Sequence, residues 1–393
     1  MAAANTITNN KLLSYHLNRL KSSPKQSLLL DGGTGEELFL HGVPDDRKIW
    51  SATAIVHEKY HDTVEKVHRS FIEAGSQAIT TNSYGIVPGV GFKDAEEVIR
   101  LNNISGEIAR RAVTDEDGTV SALVLGSLGP LVESYRADLI MKHEDGVRCY
   151  LYAIEGLNPH VDIYLAETMS CTEEACQVVD ALDAFYRSKT ESHKQPLLIS
   201  FTLSNDGKLR SGECIADAIS KIVDFAADKK VEREYCDIQI KPRFNRMSLS
   251  LMNFITLIVI GVLINCCEPE TITVAIKEIV STPQIYQYLH HPPPHASTLV
   301  HKTHVAKIFI GAYANKLMAV DQNWTMATST EAQQMRDDLF PDRYWEFVKS
   351  WNDGYGVQLI GGCCGIGPAH ISCLKKNLVL SDSSSKKINK IIT

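Results

Sequence analysis

IVIGVLINC, residues 258–266, is an unbroken apolar run that ends on an asparagine and a cysteine. It is rich in β-branched residues, which favour strands. A run apolar on both faces suits a strand covered on both sides, as in a parallel sheet flanked by helices. Seven more runs of this kind punctuate the chain: LLLD (28–31), AITTNSY (78–84), ALVLGSLGP (122–130), VDIYLAET (161–168), PLLISFTL (196–203), VAKIFIGAY (305–313) and GVQLIGG (356–362). Helical candidates lie between them, such as residues 57–75 and 94–113; in the second, Val98, Leu101, Ile104 and Ile108 fall at helical spacing. Eight strand-plus-helix units predict an α/β fold, a single-domain (β/α)8 TIM barrel, with an open doubly wound sheet as the competing arrangement.

The ends of the runs favour the barrel. They close on small or polar residues: Asp31-Gly32-Gly33, Asn82-Ser83-Tyr84, Gly126-Ser127, Glu167-Thr168, Asn265-Cys266 and Gly362-Cys363-Cys364. In a barrel the C-terminal strand ends meet on one face and form the active site, so these distant residues are expected to converge.

Composition narrows the class. A 44% hydrophobic chain of 393 residues supports a large core, and a net charge of −7 leaves no basic face for nucleic acid. The first twenty residues lack the apolar core of a signal peptide, and ten cysteines without one point to metal binding or catalysis in a reducing, cytoplasmic setting. The most apolar stretch, Phe254–Ile264, is shorter than the roughly 20 residues of a membrane span and is expected to be a buried strand. Residues 1–25 are expected to be an N-terminal extension, 26–375 the barrel, 236–257 an atypical insertion before the sixth strand, and 376–393 a loosely attached tail.

Three cysteines sit at strand ends. Neighbouring cysteines on a regular strand point to opposite faces, so Cys363 and Cys364 can share one ion only where the backbone bends. The surrounding sequence, GGCCGIG (361–367), permits that bend. The third thiol is Cys266 or its neighbour Cys267, and Cys266 directly follows the strand end. Three thiolates leave one tetrahedral position of zinc open, the arrangement of a catalytic site, and a thiol substrate is a natural fourth ligand. His290, His291 and His295, interrupted by Pro292–Pro294, form a second histidine cluster, for which a solvated loop is the plainer reading.

These motifs, together with LLLDGGTGEEL (28–38), ITTNSYG (79–85), GSLGP (126–130), AETMSCTEEA (166–175), FTLSNDGKLRSGE (201–213) and LINCCEP (263–269), resemble those of the homocysteine S-methyltransferase family across residues 26–375. The resemblance implies a barrel with zinc on Cys266, Cys363 and Cys364. It implies methyl transfer from an onium donor, S-methylmethionine or S-adenosylmethionine, to the homocysteine thiolate, giving methionine. Asp31 and Gly32 look like the homocysteine-contacting strand end, Glu167 like the glutamate that meets the substrate ammonium, and Asn82 and Tyr84 like pocket-lining residues. Asp31 and Glu167 are the catalytic candidates. Trp50, Tyr84 and Tyr313 are candidates for cation–π contact with the donor. The implied partners are these small molecules, with no nucleic acid or membrane, and oligomeric state is open. Use of betaine as donor, or an impaired zinc- or thiol-binding barrel, are the alternatives. The second is motivated by residues 236–257 and by the seventh-strand region 311–324, which departs from the family's asparagine- and glycine-rich pattern.

Overall fold

The computed structural model describes residues 2–46, 48–89, 91–92, 94–189, 194–240, 259–293, 307–319, 325 and 333–378, with backbone alone for 2–10 and 229–240. Its strands are β1 (Leu28–Leu29), β2 (Ala78–Thr80), β3 (Leu123–Leu128), β4 (Ile163–Met169), β5 (Leu197–Phe201), β6 (Val259–Asn265), β7 (Phe309–Tyr313) and β8 (Leu359–Ile360). Seven fall inside one of the eight apolar runs, and β4 extends one residue beyond its own. The helices are α1 (Ala2–Ser22), α2 (Thr34–Leu40), α3 (Thr53–Val56), α4 (His61–Ala74), α5 (Ala95–Ala112), α6 (His143–Leu157), α7 (Thr172–Ser188), α8 (Ile215–Ile240), α9 (Pro269–Ser281), α10 (Pro341–Lys349) and α11 (Pro368–Asn377). None of them is long and apolar enough to cross a membrane.

The strands form one parallel sheet in the order β1-β8-β7-β6-β5-β4-β3-β2. Sequential neighbours pair throughout, and β8 returns to β1. The remaining seam, between β1 and β2, is bridged by the Gln77 amide donating to the Leu29 carbonyl at 2.7 Å. Two residues beyond Leu29, side chain replaces backbone. The Asp31 carboxylate accepts the Thr80 amide at 2.7 Å and the Thr80 hydroxyl at 2.9 Å. The fold is therefore a nearly closed (β/α)8 barrel, and the open sheet is ruled out.

The helices obey the spacing that their sequences set. On α4, Val64, Val67, His68 and Phe71 are buried at i, i+3, i+4 and i+7, and Gly75 ends the helix at φ 118°. On α5, Val98, Leu101 and Ile108 are buried and Ile104 is half-buried. α1 is packed against the barrel's N-terminal end. Leu12, Leu13 and Leu20 are buried, Arg19 donates to the Ser27 carbonyl at 2.7 Å, and the Gln358 amide donates to the carbonyls of Leu20, Ser23 and Gln26 at 2.9–3.0 Å.

The segments that fit the sequence pattern poorly are only partly described. Residues 236–240 continue α8, and 241–258 lie outside the described residues. β6 is complete from Val259 and pairs with both neighbours, so the strand that carries Cys266 is formed. His290 stacks on Phe309 at 4.3 Å and His291 hydrogen-bonds the Leu20 carbonyl at 2.8 Å, whereas His295 lies outside the described residues. Both described histidines are thus used in packing at the N-terminal end. Of the expected tail, 376–378 end α11 and 379–393 lie outside the described residues.

Leu20 is fully buried under the barrel, so Leu20→Ala should destabilise the protein by about 2–5 kcal/mol. Urea denaturation should show one shifted transition. An unchanged midpoint would mean that α1 is not part of the cooperative unit.

Candidate metal centre

Local backbone chemistry brings the thiols together. After β8 the chain turns over Cys363–Ile366, the Ile366 amide donating to the Cys363 carbonyl at 3.0 Å. Gly365, the third residue of that turn, has φ 77°, the left-handed value that such a turn requires. The turn is held from both sides. Gly362 donates to Asp31 and Cys363 to Ala314, while Gly33 donates to Ile366 and Lys316 to Cys364, at 2.7–2.9 Å. Gly33 is needed for this approach, because a side chain there would meet the Cys363 carbonyl at 2.7 Å.

Cys266 reaches the same point by a different distortion. It follows β6 with φ 54°, unusual for a residue with a side chain. Its sulfur lies 3.8 Å from that of Cys364, which lies 3.8 Å from that of Cys363, and all three fall within 4.8 Å of one another. Zinc–sulfur bonds of about 2.3 Å in a tetrahedron separate sulfurs by about 3.8 Å, which the two pairs through Cys364 match. Cys267 points into the hydrophobic core instead, where burial pushes its thiol up to about 12. Of the two neighbours, Cys266 is the one in the cluster.

Hydrogen bonds from Cys363 and Cys364 push the Cys266 thiol well below its ordinary range, with further help from Tyr135 and Asn315. Cys363 and Cys364 move up, first because each hydrogen-bonds Cys266.

The cluster forms part of the wall of a cavity of about 260 Å3 at the C-terminal mouth of the barrel. Asp31, Gly32, Asn82, Tyr84, Trp50, Glu167 and Tyr313, all expected from sequence, line it. Glu167 accepts hydrogen bonds from the Ser127 hydroxyl and from the Tyr313 hydroxyl, the latter at 3.3 Å. Asn82 is held by Ser51, accepting from its hydroxyl at 2.7 Å and donating to its carbonyl at 2.9 Å. Tyr84 shares a 2.7 Å hydrogen bond with Ser134, and its ring sits edge-on to Trp50 at 6.1 Å. Burial raises the carboxyls of Asp31 and Glu167 to about 7 against the hydrogen bonds that oppose it.

Among the lining residues not singled out from sequence, four stand closest to the chemistry or the mouth. Glu36 lies within the DGGTGEEL motif, two residues past a glycine turn. Burial lifts its carboxyl to about 7, and its Oε2 atom lies against Gly33. Tyr135 lies five residues beyond GSLGP, and its hydroxyl is 2.9 Å from the Cys266 sulfur. Leu317 and Met335 follow β7 and pair with each other across the mouth. Of these four, Glu36 alone carried a local signal, as an acid within a motif.

Trp50, Tyr135, Thr168 and Cys266 are the non-glycine residues with positive φ among the described residues, and all four line this cavity. Asn265, fully buried, fastens Thr168. Its amide oxygen accepts the Thr168 amide at 3.0 Å and the Ser200 hydroxyl at 2.7 Å, and its nitrogen donates to the Thr168 hydroxyl at 2.9 Å. Strain gathered in one place and braced by buried hydrogen bonds is characteristic of functional sites.

A parallel barrel with a three-thiol centre at its C-terminal mouth defines a class of metal-ready catalytic barrels. The family model described as homocysteine S-methyltransferase matches residues 28–378, and the chain belongs to that family. The homocysteine S-methyltransferase of Escherichia coli K12 is 24% identical over 366 residues, covering 88% of this chain and 94% of the relative. Homocysteine S-methyltransferase 1 of Arabidopsis thaliana is 23% identical, covering 89% and 93%. A methionine synthase of Mycobacterium tuberculosis is 23% identical over 91% of this chain, which spans 25% of that relative's length. The metallated crystal structure of the Escherichia coli homocysteine methyltransferase MmuM shares the fold, with TM-score 0.60 at 22% identity over 89% of this chain and 96% of that one.

Alanine at Cys266, Cys363 or Cys364 should abolish stoichiometric zinc binding, about one ion per chain, measured by elemental analysis under reducing conditions. Cys267→Ala should keep it. Loss of zinc in Cys267→Ala alone would overturn the assignment.

A second expectation concerns pH. The Glu167 carboxyl binds a proton more readily folded than unfolded, so its contribution to stability is complete below about pH 4 and is lost as pH rises through about 7. Glu167→Gln should flatten the decline in unfolding free energy between those limits in urea titrations of the metal-free protein. An unchanged slope would mean that Glu167 is ionised in the fold.

Proposed function

We propose that the protein transfers a methyl group from a net-cationic onium donor, S-methylmethionine or S-adenosylmethionine, to the thiolate of homocysteine, giving methionine. One observation carries the choice of donor. Asp31, Glu36, Asp45 and Glu167 line the cavity, with no lysine, arginine or histidine among its described lining residues. Such a wall favours a ligand of net positive charge. Betaine is neutral overall, so this wall attracts it less than the net-cationic sulfonium donors, and it ranks below them.

In this reading Cys266, Cys363 and Cys364 hold zinc, which when bound keeps the substrate sulfur deprotonated near neutral pH. Glu167 and Asp31 accept the substrate ammonium, and each is fixed in direction by its hydrogen bonds from Ser127 and Tyr313 or from Thr80. Gly32 keeps the strand end bare, since a side chain there would collide with the Ile366 carbonyl at 1.9 Å. Asn82 braces the wall against Ser51. The rings of Trp50, Tyr84 and Tyr313 supply apolar faces for the onium methyl groups. The sulfur forms its bond to the methyl carbon as the carbon–sulfonium bond breaks. The electron pair returns to the donor sulfur, which leaves as a neutral thioether. No proton moves in that step, so alignment and exclusion of water are the work left to the cavity. Completeness of β6 favours an active centre over an impaired zinc-binding barrel.

Zinc-loaded protein should turn over homocysteine with both sulfonium donors, measured as methionine formed, and at least about tenfold less with betaine. Cys363→Ala should lose zinc and turnover together. Turnover restricted to betaine would reverse the ranking, and bound zinc without turnover on any donor would favour the impaired barrel.

A further inference from the structure

Tyr135 is placed with unusual care for a residue outside every motif. It is 6% exposed and has φ 68°, a strained value for an aromatic residue. Its hydroxyl lies 2.9 Å from the Cys266 sulfur. The Arg210 guanidinium sits 5.0 Å from the centre of its ring, where a cation strengthens the phenol as a donor. Tyr135 also packs in a small cluster with Cys266, Leu317 and Cys364, apart from the main core. The strain, the short contact and the cation all direct one O–H toward one sulfur.

The chemistry of the site gives that contact a purpose. A centre that methylates a thiolate faces a selectivity problem, because its own ligand sulfurs are thiolates within reach of the same electrophile. If Cys266 attacked, its sulfur would bond to the methyl carbon and the donor's carbon–sulfur bond would break, its electron pair returning to the donor. The cysteine would become a neutral thioether, a much poorer ligand, and the metal would be lost. Of the three cluster sulfurs, Cys266 is the one that the Tyr135 hydroxyl touches, so it is the one this contact can shield. A hydrogen bond into a thiolate lone pair lowers its nucleophilicity without removing it from the metal.

We propose that Tyr135 is a positioning residue that protects Cys266 from self-methylation by donating its phenolic hydrogen bond to the Cys266 sulfur. Asn315, whose amide nitrogen is 4.0 Å from the same sulfur, is a weaker second guard. The inference rests on the methyl-transfer reading for its purpose, but its chemistry can be tested without the donor pocket.

The test uses iodomethane, which needs no binding site. Zinc-loaded wild type and Tyr135→Phe are exposed to it without homocysteine, then digested, and methylation at Cys266, Cys363 and Cys364 is quantified by mass spectrometry. Zinc release is followed in parallel with a chromogenic chelator. In Tyr135→Phe, methylation of Cys266 should rise about tenfold relative to Cys363 and Cys364, with zinc released in step. An unchanged ratio with zinc still bound overturns the proposal. Should Tyr135→Phe fail to fold or to hold zinc, a ring-fluorinated tyrosine at position 135 replaces it. That stronger donor of nearly the same shape should slow Cys266 methylation, and no slowing overturns the proposal equally. Failure of the sulfonium donor panel leaves this result intact, so the two readings fail separately.

Discussion

Barrel closure is the constraint on which the metal centre depends. Cys266 and the Cys363-Cys364 pair are about a hundred residues apart, yet their sulfurs must come within tetrahedral reach. The turn that carries the pair is clamped between the end of β1 and the continuation of β7, through Asp31, Gly33, Ala314 and Lys316. Those clamps exist only if β8 is inserted between β7 and β1. The β1–β2 seam shares in the task, and Asp31 takes part in both. Its carbonyl accepts Gly362, while its carboxylate accepts Thr80 across the seam. A residue proposed to bind substrate therefore also fastens the barrel.

The cavity wall is built of conformations that relax elsewhere in a protein. Left-handed backbone at four side-chain-bearing residues costs of order 1–3 kcal/mol at each. Buried hydrogen bonds of the kind Asn265 makes to Thr168 and Ser200 offset that cost. Strain and brace are encoded at different positions, which makes the site rigid at modest expense to global stability. Precision at the sulfurs is the return on it, since misplacement by an ångström costs a transfer reaction orders of magnitude.

Much of this was legible in the sequence. The eight apolar runs carry all eight strands, because buried parallel strands are continuous in hydrophobicity and hard to mistake when helices separate them. The sulfur trio was legible because glycines around Cys363-Cys364 announce a backbone bend, and the structure supplies it as the turn around Gly365. Position directly after the strand end favoured Cys266 over Cys267, but the left-handed angle that turns Cys266 into the cluster was not legible, since a single-residue twist leaves no pattern in flanking residues. Tyr135 was invisible for another reason. Its partner is 131 residues away, and nothing in SYRAD announces a sulfur contact. Interactions fixed by tertiary convergence leave no local periodicity to find.

The acidic lining has one more consequence. Asp31 is buried and Glu36 and Glu167 are half-buried, where salt screens charge weakly, so the negative charge they carry acts inside the mouth at cellular ionic strength. Homocysteine enters such a field as a zwitterion with no net charge. Abundant thiols of net negative charge, including acidic peptides that would otherwise bind zinc well, are opposed before they reach the sulfurs. In the proposed reading, the carboxylates that would welcome an onium donor would also act as a filter on thiols, keeping the open metal position from being capped by the wrong one.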